Sequence, residues 1–413
     1  MLSIELFTGA GGLALGTHRA GFHHQAVVER DHDSCDTLRL NVERHAATGV
    51  DWPIHEADVT AFDYAPYAHG TLDLLAGGAP CQPFSLGGKH AGEADGRNMF
   101  PAVFRAVREL HPRAFLLENV KGLTRQGFRP YFDYIVEQLA FPHVAPLPGE
   151  GWEGHKARLA GYHAAGEAVA AAPWNQAPAC RYNVKYQVYN VADFGVPQER
   201  HRVFIVGFRH DLGAPWGFPA PTHSEDALLY AQYVDGSYWE EHKLDPRPVP
   251  DQLAKRVAQL AHKTKPLALR WRTVRDAIKD LPEPIDRDRD PDPPIANHVG
   301  IPDARSYPGH TGSPWDWPAK AIKAGDHGNP GGENMLRRDD GSVRYFSVRE
   351  LARLQTFPDE WRFANSWTES RRQLGNAVPV AMAALLAGLI RDQRDQADRA
   401  APARARELAL AAG

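Results

Sequence analysis

Leu2-Ser3-Ile4-Glu5-Leu6-Phe7-Thr8-Gly9-Ala10-Gly11-Gly12 opens the chain, an apolar run that stops in a glycine-rich turn. Leu2 to Phe7 reads as a buried strand, and the residues beyond the glycines, through about Ala20, read as a helix. The same alternation continues downstream. Ala26 to Glu29 is a second strand, followed by a helix from about Ser34 to Arg44. Leu72 to Gly77 and Ala114 to Glu118 are further buried strands, and a helix follows near Tyr131 to Leu139. Strand and helix in turn predict a doubly wound, mostly parallel α/β sheet, with ligands at the carboxyl ends of the strands.

At 413 residues and 43% hydrophobic content the chain has material for a large core and a second module. Cys35, Cys81 and Cys180 are odd in number and unpaired by spacing, which argues against a disulfide framework. Neither CxxC nor HExxH occurs, and His18, His23 and His24 lack ligand-like spacing, so no metal is expected. No apolar run approaches membrane-spanning length, and Met1-Leu2-Ser3-Ile4-Glu5 lacks a secretory pattern. A cytoplasmic protein is expected. A net charge of −4 does not advertise a nucleic-acid binder, yet local basic faces steer binding more than the global sum.

Residues 141 to 180 are rich in Pro, Gly and Ala and predict a long surface excursion. Pairing resumes at Lys185 to Val191 and Arg202 to Phe208. From 211 to 344 short apolar runs are broken by Pro, Gly and scattered Trp (Trp216, Trp239, Trp271, Trp315, Trp317), which predicts a separate, irregular module. Helical periodicity returns at Val348 to Phe357 and Val378 to Ile390, and the charged, Ala-rich tail from Arg391 continues as a fraying helix.

Five features carry chemistry. Gly9, Gly11 and Ala14 fit a G-x-G-x-x-G/A pattern with Glu29 about twenty residues on, where an acid meets ribose hydroxyls; this suits a nicotinamide cofactor or S-adenosylmethionine alike. Asp58, after a third strand, is placed to accept an amino group. Cys81 stands between Pro80 and Gln82-Pro83, past a buried strand and two glycines, a poor place for core packing and a good one for a nucleophile. A helix starting near Asn98 would lend its positive end to a thiolate. Glu118, at the end of a later strand, is placed for a buried carboxyl that donates a proton or hydrogen bond. Finally, Gln198-Glu199-Arg200-His201-Arg202 sets two arginines at alternating positions, hence on one face of a strand.

In order and spacing these pieces resemble the DNA (cytosine-5)-methyltransferase family. The matching residues are Phe7-Thr8-Gly9-Ala10-Gly11-Gly12, Glu29, Asp58, Pro80-Cys81-Gln82, Glu118-Asn119-Val120 and Gln198-Glu199-Arg200-His201-Arg202, then Arg349-Glu350-Leu351-Ala352-Arg353-Leu354-Gln355 and Gly375-Asn376-Ala377-Val378-Pro379. The resemblance spans roughly 1–140, 183–208 and 345–390. It implies a Rossmann-like S-adenosylmethionine-dependent fold, with a catalytic domain at 1–210, a smaller target-recognition domain at 211–344, and 345–413 returning to complete the first.

The resemblance also implies roles. Cys81 would be the nucleophile toward cytosine C6, Glu118 would bind and protonate N3, and Arg202, with Arg200 nearby, would hold the base carbonyl. Pro80, Gln82 and Ser85 would shape the catalytic loop, and 85–100 would close over DNA. Phe7, Thr8, Gly9, Gly11, Gly12, Leu13, Glu29, Arg30, Asp58, Val59, Gly78, Phe100, Asn376 and Val378 would line the S-adenosylmethionine pocket. Arg349 to Gln355 would brace the recognition module. Double-stranded DNA would be the substrate and S-adenosyl-L-homocysteine the product, with a monomeric enzyme and a partner restriction endonuclease as family-level expectations.

Arg30 departs from the bulky apolar residue usual after the ribose-binding acid, and Ala321 stands where relatives carry Thr. Candidate DNA contacts within 211–344 are Lys255, Arg256, Lys263, Lys265, Arg270, Arg272, Lys320, Lys323, Arg337 and Arg338. Three rivals stand beside this reading: a tRNA cytosine methyltransferase, a nicotinamide oxidoreductase, and a DNA-binding protein that has lost catalysis.

Overall fold

The alternation read from the sequence becomes β1 (Leu2–Leu6), α1 (Gly12–Arg19), β2 (His23–Glu29), α2 (His32–His45), β3 (Ile54–Glu56), β4 (Leu74–Gly77), α3 (Phe100–Leu110), β5 (Ala114–Val120), α4 (Arg129–Ala140), α5 (Trp152–Ala164), β6 (Tyr182–Asn190), β7 (Gln198–Glu199) and β8 (His201–Arg209). The computed structural model describes residues 1–45, 50–68, 70–80, 98–164, 181–286, 294–308, 310–325 and 332–411. They fall into two units, the first of Met1–Val188, His201–Phe218 and Ala383–Gly413, the second of Tyr189–Arg200 and Pro219–Met382.

Seven strands of the first unit's sheet run in the order β3-β2-β1-β4-β5-β8-β6. β1 pairs in parallel with β2 and β4, and β4 with β5, while β8 runs antiparallel to β5. The chain winds outward from β1 to β3, then returns to β4 on the other side of β1. That reversal opens a crevice at the carboxyl ends of β1 and β4, the usual ligand site of such sheets. Ile4, Leu6, Val28, Leu75, Phe115 and Ile205 are at most 1% exposed at its centre, each gaining roughly 1.5–3 kcal/mol on burial.

The expectation for 141–180 needs correction. Trp152–Ala164 is a helix packed on α4, with Leu159 and His155 fully buried. Tyr134 and His155 share a 3.0 Å hydrogen bond there, and the other His155 nitrogen, Nε2, lies 3.0 Å from the Val144 carbonyl. A second correction concerns membrane-spanning length. Within Trp367–Ala401 a helical window is long and apolar enough to cross a bilayer, but 67% of it is buried inside the protein.

The second unit is built from short elements, as the broken apolar runs suggest. Three of its tryptophans gather: Trp239 and Trp271 pack with Leu228, Tyr238 and Trp317 in one small core. Capping boxes start two of its helices, Thr273 with Asp276 before Val274–Ile278, and Ser347 with Glu350 before Val348–Leu354. Residues 219–382 share this unit, and the helix from Ala383 onward is grouped with the first.

Candidate active site

β1 ends in a strained turn. Phe7 (φ 56°) and Gly9 (φ 55°) both adopt left-handed backbone, and Gly11 (φ 89°) caps α1 in the same region. A Cβ on Gly9 would meet nothing within 4 Å, so open space faces this glycine. The first amides of α1 have no intrahelical acceptor, which makes the loop a place for an anionic or hydroxyl-bearing ligand. Thr8 and Leu13 are buried beneath it.

Glu29, at the end of β2, takes the Gly9 amide on one carboxylate oxygen at 2.7 Å. Its other oxygen accepts the amides of Arg30 and Asp31, each at 2.8 Å. The expected ribose-binding acid is thus aimed by three backbone donors and keeps lone pairs for further donors. Asp58 follows β3 by two residues. Thr60 donates to it through its hydroxyl at 2.7 Å and its amide at 2.8 Å, and Arg30 at 3.2 Å; these bonds, the Thr60 hydroxyl foremost, hold its carboxyl below the usual range. Arg30 therefore clasps Asp58 instead of offering an apolar wall. Arg105 fixes this turn by donating to the Val59 and Phe62 carbonyls, and Phe100, 2% exposed, stands in the first turn of α3.

β4 and β5 end side by side. The Glu118 carboxylate, on a residue 7% exposed, lies 2.7 Å from the Arg202 guanidinium. The register explains the contact: Val120 faces Arg202 and Glu118 faces Phe204, so the pair are diagonal neighbours across antiparallel strands. Gly78 makes room, since a Cβ there would stand 3.4 Å from the other Glu118 oxygen. Asn119, 1% exposed, donates through Nδ2 to the Ala79 carbonyl at 3.1 Å. Sequence reasoning quoted Asn119 within its motif and gave it no role; its place between two strand ends is the signal that would have found one.

Pro80 is exposed and is the last described residue before 98. Cys81, Gln82, Ser85 and the expected closing run lie outside the described residues, as does Cys180. Cys35 shows by contrast what an inert thiol looks like, its pKa pushed up to about 12 chiefly by burial.

Arg200 departs from expectation. β7 stops at Glu199 and β8 starts at His201, so Arg200 and Arg202 do not share one strand face, and they fall in different units. Arg200 is 1% exposed and donates to the carbonyls of Ile322, Gly375 and Ala377. It works with Arg371, which holds Lys323 and Gly325, and with Gln355, which holds Leu374. Gly375 is required in this cluster, because a Cβ would stand 2.4 Å from the Ala324 amide nitrogen. Beside it Asn376 is exposed and Val378 buried. Arg349 braces the same unit through the carbonyls of Ala296, Pro358 and Trp361.

Among the described residues, Glu241, His242 and Asp276 bring ligand atoms within 4.8 Å of one another. Arg270 already bridges the two carboxylates at 2.8 and 2.7 Å, and the Lys279 ammonium sits 3.2 Å from His242. Cations fill the place a metal would take.

The family model for C-5 cytosine-specific DNA methylases matches residues 1–141 and 174–391. Among curated proteins, the Type II methyltransferase M.NgoMIV of Neisseria gonorrhoeae is 29% identical over 385 residues, covering 92% of this chain and 94% of the relative. The Type II methyltransferase M.AquIA of Picosynechococcus sp. is 35% identical over 292 residues, 67% of this chain and 97% of the relative. The crystal structure of S. pombe Dnmt2 methyltransferase shares the fold, with a TM-score of 0.52 at 14% identity over 95% of this chain and 98% of that one.

Proposed function

The chain belongs to the C-5 cytosine-specific DNA methylase family, and on that premise we propose that it methylates a cytosine rotated out of a specific duplex sequence through a covalent bond from Cys81 to C6. The enzyme is a DNA cytosine-5 methyltransferase; the adduct, the extruded base and the residue roles are the proposal. The observation that carries it is the meeting of Glu118 and Arg202 at 2.7 Å, beside a β4 end that Asn119 ties down two residues before Cys81.

The cytosine C5 atom lies inside the base stack, so the nucleotide leaves the helix at a cost of about a few kcal/mol. Sγ of Cys81 forms a bond to C6, and the ring electron pair moves toward C5 while Glu118 supplies a proton or hydrogen bond at N3. Arg202 holds the base carbonyl and keeps the Glu118 carboxyl in place. S-adenosyl-L-methionine, when bound, supplies the methyl group that C5 receives. Transfer of the C5 proton to a base such as water, with any proton on N3 returning to Glu118, then restores the C5–C6 double bond and breaks the C6–S bond, freeing the thiolate.

The glycine loop suits S-adenosyl-L-methionine. Gly9 leaves it open, the α1 amides face it, and the Glu29 carboxylate, ordered by backbone donors, retains acceptor capacity for ribose hydroxyls. Phe7, Thr8, Gly11, Gly12, Leu13, Asp58, Val59, Gly78 and Phe100 are the further first-unit contacts in this proposal. The roles of Asn376 and Val378 rest on their motif alone.

The relatives M.NgoMIV and M.AquIA are Type II methyltransferases. The proposal therefore extends to a short recognised sequence, to protection of DNA against a partner endonuclease, and to a monomeric cytoplasmic enzyme.

Bisulfite sequencing of plasmid DNA from cells expressing the protein reads activity and target together. A duplex carrying 5-fluorocytosine at that target, offered with S-adenosyl-L-methionine, should then remain covalently attached to the wild-type chain and not to Cys81→Ser. Absence of any attached species on a duplex the enzyme methylates overturns the adduct.

A further inference from the structure

The cations of the second unit are not equivalent. Arg256 is held by Glu225 and Asp226, Arg270 by Glu241 and Asp276, Lys265 by Asp235, Lys323 by Glu333 and Arg338 by Glu283. A phosphate that approaches these cations has first to displace a carboxylate, at a cost of about 0–1 kcal/mol for an exposed pair. Among the described residues Lys255, Lys263 and Arg272 have no carboxylate partner, and neither do Arg305, Lys320 and Arg337, which form a group of three.

All three border one turn. Tyr307 and His310 close it with reciprocal backbone hydrogen bonds, Tyr307 N to His310 O at 3.3 Å and His310 N to Tyr307 O at 2.8 Å. Their ring centroids lie 4.3 Å apart with the planes tilted by 38°. Tyr307 is 50% exposed, an unusual position for a large ring, and Arg305, Ser306 and Pro308 around it are exposed as well. Lys320 donates to the Thr311 hydroxyl at 3.3 Å, which fixes its ammonium at the turn's exit. Gly312, in left-handed backbone, lies so close to Arg337 that a Cβ would stand 3.2 Å from the Arg337 amide nitrogen. The Arg337 side chain starts from that contact and is exposed. Glu333, an acid at the turn, stands 3.6 Å from the His310 ring nitrogen and is shared with Lys323.

We propose that the Tyr307–His310 turn, flanked by Arg305, Lys320 and Arg337, is the edge of the second unit that reads duplex DNA. The inference rests on DNA being the substrate. The cations neutralise phosphates, which supplies affinity and register. Tyr307 and His310 offer a hydroxyl and a ring nitrogen to base edges, which supplies sequence choice. Rings in contact on a cross-bonded turn lose little further freedom on binding, so the contact is pre-organised.

The test uses the full-length enzyme and the duplex that it methylates. Lys320→Gln and Arg337→Gln should each weaken duplex binding and lower the slope of log K against log salt concentration by about 1. Tyr307→Ala and His310→Ala should each cut kcat/KM on the parent site by about tenfold or more and broaden the set of cytosines methylated in a randomised duplex pool. All four should bind S-adenosyl-L-homocysteine within about twofold of wild type, because the turn lies outside the cofactor residues. If the wild type methylates DNA while the four variants keep its salt slope and its set of sites, the turn is not the reading edge and the methyltransferase reading stands. If the wild type places no 5-methylcytosine in any duplex, that reading fails and takes this inference with it.

Discussion

Arg202 on β8 holds the carboxylate of Glu118 on β5 at 2.7 Å, with both side chains largely withdrawn from water. Removing one partner of such a pair leaves an uncompensated buried charge, which costs about 3–5 kcal/mol. Arg202→Ala should therefore lower the melting temperature as well as activity. Glu118→Gln keeps the shape but leaves the Arg202 charge unpaired, so it too should lower the melting temperature, and by removing the acid it should lower kcat by roughly a factor of 10²–10⁴. Thermal denaturation and single-turnover methylation measure the two effects separately. A Glu118→Gln protein with wild-type turnover would remove this carboxyl from the mechanism.

Asn119 makes a different prediction. Its amide satisfies the Ala79 carbonyl from a position 1% exposed. Asn119→Ala leaves that carbonyl without a donor at a cost of about 1–3 kcal/mol, and loosens the strand end two residues before Cys81. Turnover should fall while the affinity for S-adenosyl-L-homocysteine holds, since Glu29 and the glycine loop belong to β1 and β2. Calorimetric titration beside methyl incorporation checks this, and a weakened cofactor with unchanged turnover contradicts it.

The placement of the glycine loop, Glu29, Asp58 and Glu118 at or near strand ends was legible in the sequence, because strand and helix alternate there; their roles belong to the proposal. The placement of Arg200 was not. Alternation assigns it to the face of Arg202, but the strand breaks at Arg200, whose guanidinium is committed to the carbonyls of Ile322, Gly375 and Ala377. Those acceptors lie more than a hundred residues downstream, and no local pattern encodes them. The helix Trp152–Ala164 was hidden for another reason. Its buried contacts hinge on Leu159 and His155, too few to impose a helical apolar stripe on an Ala- and Gly-rich stretch.

Cofactor binding and bond-making chemistry should separate by mutation. Cys81→Ser should abolish turnover and leave binding of S-adenosyl-L-homocysteine nearly intact. Glu29→Ala strips the acceptor that organises Gly9, Arg30 and Asp31, and should weaken that binding by about tenfold or more, given roughly 1.5–3 kcal/mol for hydrogen bonds to a charged group. Duplex binding by Glu29→Ala should stay near wild type. Equal loss of both functions in each variant would show that the roles are misassigned.

His24 gives the fold a pH dependence whose sign follows from its surroundings. Its Nε2–H donates to the Ala14 carbonyl at 3.0 Å, Ser3 lies 3.0 Å from Nδ1, and Trp52 packs edge-on at 4.9 Å. Burial, the largest influence, pushes its pKa down to about 4; the Ala14 bond opposes this, and the neighbouring His18 and His23 add to it. Between that value and the ordinary 6.5 the unfolded chain binds a proton that the folded protein refuses. The associated stability, roughly 3 kcal/mol, is fully present above pH 6.5 and drains away as pH falls through about 4. Comparing urea unfolding at pH 7.5 and pH 5, the wild type should lose about 2 kcal/mol more than His24→Gln, which has no proton to take up. Equal losses in the two proteins would mean that His24 is free to ionise where it stands.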